Sequence, residues 1–171
     1  MTTQTTAVPV SAKTLGTLFE FTYGVFRRNT EGVTHAESLR IPQPTANCIN
    51  WVGGHVVATR DNLLGLLGQT PVLTPAENET YKRGAPPLTD PAKALAWDRI
   101  VAALDTSQER LRAGLASLTP ERLAAPLPAD RNPFGVDSVG DMIAAFSFHD
   151  GYHVGQLGVL RRLCGKPGAV K

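Results

Sequence analysis

An excess of charge of either sign is missing from this chain. Lys and Arg total 17 against 15 Asp and Glu, leaving a net charge of +2. With no basic stripe, the sequence lacks the footprint of a nucleic-acid-binding surface. The pair Arg161-Arg162 reads instead as cations placed at a helix C-terminus. Cysteine is scarce as well. Cys48 and Cys164 alone make no disulfide framework, so the expected setting is cytoplasmic, with both thiols reduced. No apolar run reaches the roughly 18 residues that suggest a membrane span. Met1 to Thr6 lack the cationic patch and apolar run of a secretory signal. Strand-like alternation, internal repeats and low-complexity segments are also missing.

What is present suits a folded domain. Apolar residues make up 42% of the 171 and charged residues 19%, which argues against disorder and allows one domain with a full-sized core. Four stretches carry apolar residues at helical spacing. The first, residues 11–29, has Ser11 as its cap and a stripe of Leu15, Leu18, Phe19, Thr22, Val25 and Phe26. The second, residues 45–67, carries Cys48, Val52, His55, Thr59, Leu63 and Leu66, then Gly68 and Pro71 as stop signals. The third, residues 90–118, starts from Thr89 or Asp90 with Pro91 in its first turn. Its stripe runs Trp97, Val101, Leu104, Gln108, Leu111, Leu115 and Leu118. Thr119-Pro120-Glu121 breaks it and can open a short extra turn. The fourth, residues 138–164, has Ser138 and Asp141 as a weak capping box, with Gly165 and Pro167 beyond its end. Its stripe is Met142, Phe146, His149, His153, Leu157, Leu160 and Cys164. The expectation is an all-α fold, a four-helix bundle with two long connections whose order the periodicity leaves open.

Within the fourth stripe, His149 and His153 are four residues apart. That spacing advances about 400° and rises roughly 6 Å, so both rings leave one helix face on successive turns. Such a pair can reach one metal ion at roughly 2.0–2.1 Å. The best third ligand is His55, in the apolar stripe of the second helix. His35 falls among polar residues in a connection and is the poorest candidate. Gly53 and Gly54 precede His55, while Gly151 and Gly155 flank His153. Glycines inside helices suggest close helix approach or ligand access here, with tight packing alone as the alternative. Three imidazoles without an assigned fourth ligand fit a catalytic site more than a structural one. Asp150 reads as a solvated residue or a partner orienting an imidazole from behind, and Gln156 as a pocket hydrogen bond or a surface side chain. Tyr152 is an interface aromatic or lines the site's mouth. Cys48 and Cys164 read as small core residues. His149-Asp150-x-x-His153 is similar to the His-Glu-x-x-His signature of metalloproteases. Asp150 is shorter than glutamate, however, and Val159 stands where the extended signature has its third histidine.

These segments together resemble the DinB/YfiT-like superfamily. The residues carrying the resemblance are Asn50-Trp51-Val52-Gly53-Gly54-His55, Leu118-Thr119-Pro120-Glu121-Arg122-Leu123 and Ser138-Val139. Most specific is His149 through Leu157 with Leu160-Arg161-Arg162. The resemblance implies a four-helix bundle that binds a divalent metal through His55, His149 and His153, often as a homodimer. Its thiol-dependent members include bacillithiol S-transferases and a mycothiol-dependent isomerase. The expected function is therefore a metal-dependent enzyme acting on a small molecule, with a low-molecular-weight thiol activated in the open position. Zinc or nickel is expected first, with iron or manganese as alternatives. The competing readings are a hydrolase using metal-bound hydroxide, a non-enzymatic metal- or ligand-binding stress protein, and histidines merely hydrogen-bonded in the core.

Overall fold

A computed structural model describes residues 10–43, 46–127 and 132–170. The polar N-terminus from Met1 to Thr6, Pro44, and Thr45 at the expected start of the second helix lie outside the described residues. The described residues form seven α-helices: α1 (Ala12–Thr30), α2 (His35–Ser38), α3 (Ile49–Leu66), α4 (Pro75–Tyr81), α5 (Trp97–Ala116), α6 (Pro120–Ala124) and α7 (Val139–Leu163). The described residues contain no strand, only an isolated bridge between Pro126 and Ser138. No helix among them is long and apolar enough to cross a membrane.

The long helices α1, α3, α5 and α7 form a four-helix bundle. Helix α1 packs on α5 and α7, and α3 packs on the same two, so α1 and α3 occupy one diagonal. The chain must therefore cross the bundle between them, which accounts for the long first connection. Helix α3 is the innermost: every residue from Ile49 to Asp61 is buried. A helix apolar on nearly all sides has no polar face to present to water. In α1 the stripe is narrower than expected. Leu15, Phe19 and Phe26 are fully buried, while Leu18 is turned outward.

Local chemistry sets the helix ends. Ser11 Oγ accepts from Thr14 N at 3.1 Å, and Ser138 Oγ accepts from Asp141 N at 3.2 Å. At the far ends, Gly68 (φ 71°) and Gly165 (φ 83°) adopt the left-handed conformation that closes α3 and α7.

Three expectations need correction. The second helix starts at Ile49, with Cys48 as its cap. The third starts at Trp97, not near residue 90. Asp90 and Pro91 instead open a separate 3₁₀ turn, Pro91–Lys93. The intervening segment is held extended because the Tyr81 hydroxyl accepts from Leu95 N at 2.8 Å and Asn50 Nδ2 donates to Leu95 O at 3.0 Å. Finally, the proline-rich second connection contains α4. Thr74 and Glu77 form a full capping box around Pro75, a start signal hidden by the surrounding prolines. The extra turn after Thr119 is α6.

Candidate metal centre

The site begins with α3 and α7 running antiparallel. His55 lies beside His149, and further along the pair Leu66 and Met142 line one cavity. This arrangement brings His149 and His153, one turn apart on α7, against His55. The ring centroids are 5.0 Å apart for His55 and His149, 4.8 Å for His55 and His153, and 4.4 Å for His149 and His153. One nitrogen from each ring lies within 4.8 Å of the other two.

Hydrogen bonds orient two of the rings. His55 Nδ1 is 2.7 Å from the Tyr81 carbonyl oxygen, which can only accept. His55 therefore keeps its proton on Nδ1 and offers the Nε2 lone pair. His153 Nδ1 is 2.8 Å from Gln156 Oε1, and donation to that oxygen leaves Nε2 free likewise. His149 Nε2 sits 3.1 Å from His55 Nε2, and His149 Nδ1 is buried with no hydrogen-bond partner among the described residues. A neutral His149 ring must either donate from Nε2, stranding a bare Nδ1, or hold its Nε2 lone pair against that of His55. A cation between the two Nε2 atoms turns that repulsion into attraction. Two nitrogens bound tetrahedrally to one zinc would be roughly 3.3 Å apart, close to the spacing seen. The residues present fit a divalent metal.

Electrostatics favour the same state. Burial lowers the pKa of His55, against the opposing pull of the Tyr81 carbonyl and the Asp150 charge. Burial also lowers His153, with Gln156 opposing. His149 is pushed down to about 3 by burial and by the neighbouring charges of His153, His55 and Arg83. All three rings are neutral near pH 7, the form that binds metal.

A second layer holds the trio. Trp51 stacks on His55 at 4.8 Å with the planes 14° apart. The Tyr81 ring lies so close over α3 that a Cβ on Gly54 would stand 2.2 Å from Tyr81 Cδ1. Gly53 is similarly tight, 3.0 Å from the Trp97 ring by the same measure. Gly151 and Gly155 differ: a Cβ would meet only Thr22 Cγ2 at 4.0 Å at the first and nothing within 4 Å at the second. Close approach explains Gly53 and Gly54 of α3 and not Gly151 and Gly155 of α7.

Asp150 requires a correction. It is neither solvated nor hydrogen-bonded to an imidazole. Its carboxylate is 1% exposed and accepts from Arg60 Nε at 2.8 Å. Arg60 Nη1 also donates to Gln108 Oε1 at 2.9 Å and Ser107 Oγ at 3.3 Å. Gln108 Nε2 continues to Glu20, which Arg112 grips through two nitrogens. This network ties α1, α3, α5 and α7 together directly behind the histidines. Sequence reasoning missed Arg60, although a charge inside so apolar a helix was a usable signal. The Tyr81 carbonyl had none, since any residue supplies one.

The other candidates sit elsewhere. His35 lies in α2, where its Nδ1 accepts from Trp97 N at 3.3 Å and caps α5. Tyr152 is 58% exposed and packs edge-on against His153. Burial raises the pKa of Cys48, whose Sγ accepts from Trp51 N. Cys164 donates to Glu37 O. Neither sulfur belongs to the histidine cluster.

Comparisons with known proteins agree with this architecture. A solved structure described as that of a conserved protein of locus from Enterococcus faecalis superposes with a TM-score of 0.70 at 19% identity. The match covers 94% of this chain and all of that one, and at this identity it speaks to the fold alone. No curated protein matches the sequence. The model of the DinB superfamily matches residues 18–157, a span that holds α3, the three histidines and their supports; the chain belongs to the DinB superfamily.

Proposed function

We propose that the protein is a divalent-metal-dependent enzyme acting on a small molecule, with a low-molecular-weight thiol as the favoured co-substrate. The carrying observation is the convergence of three neutral imidazoles, two of them lining a cavity of about 940 Å³. His55, His149 and His153 would hold the ion, with Tyr81 and Gln156 orienting two of the rings. Imidazoles suit zinc, nickel and iron, and three ligands leave room for solvent or substrate. When bound, such an ion supplies the positive charge that makes a nearby thiol or water more acidic. In thiol transfer the sulfur loses its proton to solvent and its electron pair forms a bond to an electrophilic carbon. The leaving group departs with the pair of the broken bond. The thiol-dependent members of the superfamily support this choice, and a cytoplasmic setting, where thiols stay reduced, belongs to the same reading.

Calorimetric titration of the zinc- and nickel-loaded protein with bacillithiol, mycothiol, glutathione and coenzyme A tests it. One of these thiols is expected to bind to the loaded form and not to the metal-free form. If none does, and activated esters are hydrolysed without thiol, the thiol assignment is replaced by metal-assisted hydrolysis.

We also propose a homodimer. Leu18 and Phe21 on α1 are 41% and 66% exposed, and Phe148, Tyr152 and Val159 on the adjoining α7 are 75%, 58% and 60% exposed. Helices α1 and α7 pack on each other, so these side chains supply apolar surface for self-association. Light scattering is expected to give twice the 18.3 kDa chain mass, and Phe148→Glu the chain mass. A monomeric wild type would remove the proposal.

A further inference from the structure

The cavity beside the histidines is walled by apolar groups over much of its length, with Leu66 from α3, Met142 and Phe146 from α7, and Phe134 from the loop before α7. Among the described residues, two charged side chains line it, Asp61 and Arg83. Asp61 is committed elsewhere. Its two carboxylate oxygens accept from Val72 N at 2.7 Å and Leu73 N at 3.0 Å. Arg83 stands in the turn immediately after α4, two residues beyond the carbonyl that orients His55. No acidic side chain pairs with it among the described residues. It is an exposed guanidinium on the rim of an apolar cavity. Its charge reaches the site, being one of the causes that depress His149.

A guanidinium offers paired N–H donors that match a carboxylate. A single guanidinium balances one negative charge, whereas a phosphate dianion would leave a second against the apolar wall. We propose that the cavity takes a small amphipathic carboxylate, its apolar body against Phe134, Met142 and Phe146 and its carboxylate paired with Arg83. Arg83 is thereby a specificity-determining residue for the substrate of the reaction proposed above. That assignment as substrate rests on the metal reading, but the recognition itself does not require a metal.

The test compares two probes of one shape, 4-phenylbutanoate and 4-phenylbutanol. Binding is followed by ligand-observed NMR at low salt, in wild type and Arg83→Gln, each metal-free and zinc-loaded. In the metal-free wild type the carboxylate is expected to bind about fivefold more tightly than the alcohol, the scale of one partly exposed charge-assisted pair. Arg83→Gln should abolish that preference and leave alcohol binding unchanged, and high salt should weaken it. Phe146→Ala should weaken both probes together. Equal binding of the two probes by wild type, retention of the preference in Arg83→Gln, or no binding of either probe would each overturn the proposal. Failure of the protein to take up zinc would sink the metal reading, while the anion preference of the metal-free form would still be read separately.

Discussion

Replacing His153 with alanine is expected to lower zinc or nickel affinity by at least about 100-fold, more than the loss typical for groups that merely support a ligand. The same loss is expected for His55→Ala and His149→Ala. The wild-type protein, freed of metal and reloaded, should hold about one ion per histidine trio. Gln156→Ala removes only the acceptor 2.8 Å from His153 Nδ1 and should cost about tenfold. His35→Ala is the control. Its ring caps α5 through Trp97 N, so metal binding should persist while stability falls by roughly 0.5–2 kcal/mol. Metal titration followed by elemental analysis decides the matter. Binding by wild type too weak to survive dialysis, or undiminished binding in the His149 and His153 variants, would leave the trio as core histidines.

The second large effect concerns the ion pair behind the site. Asp150→Ala strands the Arg60 guanidinium, 2% exposed, with only neutral partners in Ser107 and Gln108. Breaking a buried pair from one side costs about 3–5 kcal/mol. That is a large share of the roughly 5–15 kcal/mol total stability typical of a domain. Replacing both partners with apolar residues, as in Arg60→Met with Asp150→Leu, should recover much of the loss, because no buried charge is then left unpaired. Urea unfolding of the two variants gives the comparison. A cost below about 1 kcal/mol for Asp150→Ala would mean that water reaches the pair and that it does not brace the bundle.

Helical periodicity made α1, α3, α5 and α7 legible, since apolar residues on one face of a helix announce the face that will be buried. It also placed His149 and His153 on one side of α7 and His55 on the inner side of α3. The same reasoning failed where a side chain answered to a distant segment. Asp90 and Pro91 carried a sound start signal, yet Tyr81 and Asn50 hold the following residues extended. Asp150, which adjoins His149 in sequence, read as a solvated residue or as support for an imidazole. Its neighbour in space is Arg60, 90 residues away. Gly53, Gly54, Gly151 and Gly155 all read alike, as marks of close helix approach or ligand access, yet Gly155 faces open space, while Gly54 is confined by a tyrosine from α4, a helix the proline-rich stretch concealed.

The chain alone determined that there would be four long helices, that Ser11 and Ser138 would cap the first and the last, that glycines would close the second and the last, and that one helix would present two imidazoles to the core. Those are properties of neighbouring residues, and local spacing encodes them. Only the tertiary structure decided that α3 would lie against α7 and meet His149 with a ring from 94 residues earlier. It also decided that a backbone carbonyl would set a tautomer and that Arg83 would stand beside the cavity with no acid paired to it among the described residues. Those outcomes depend on how the crossing connections fold back over the bundle, a long-range arrangement that no repeat of three or four residues can specify.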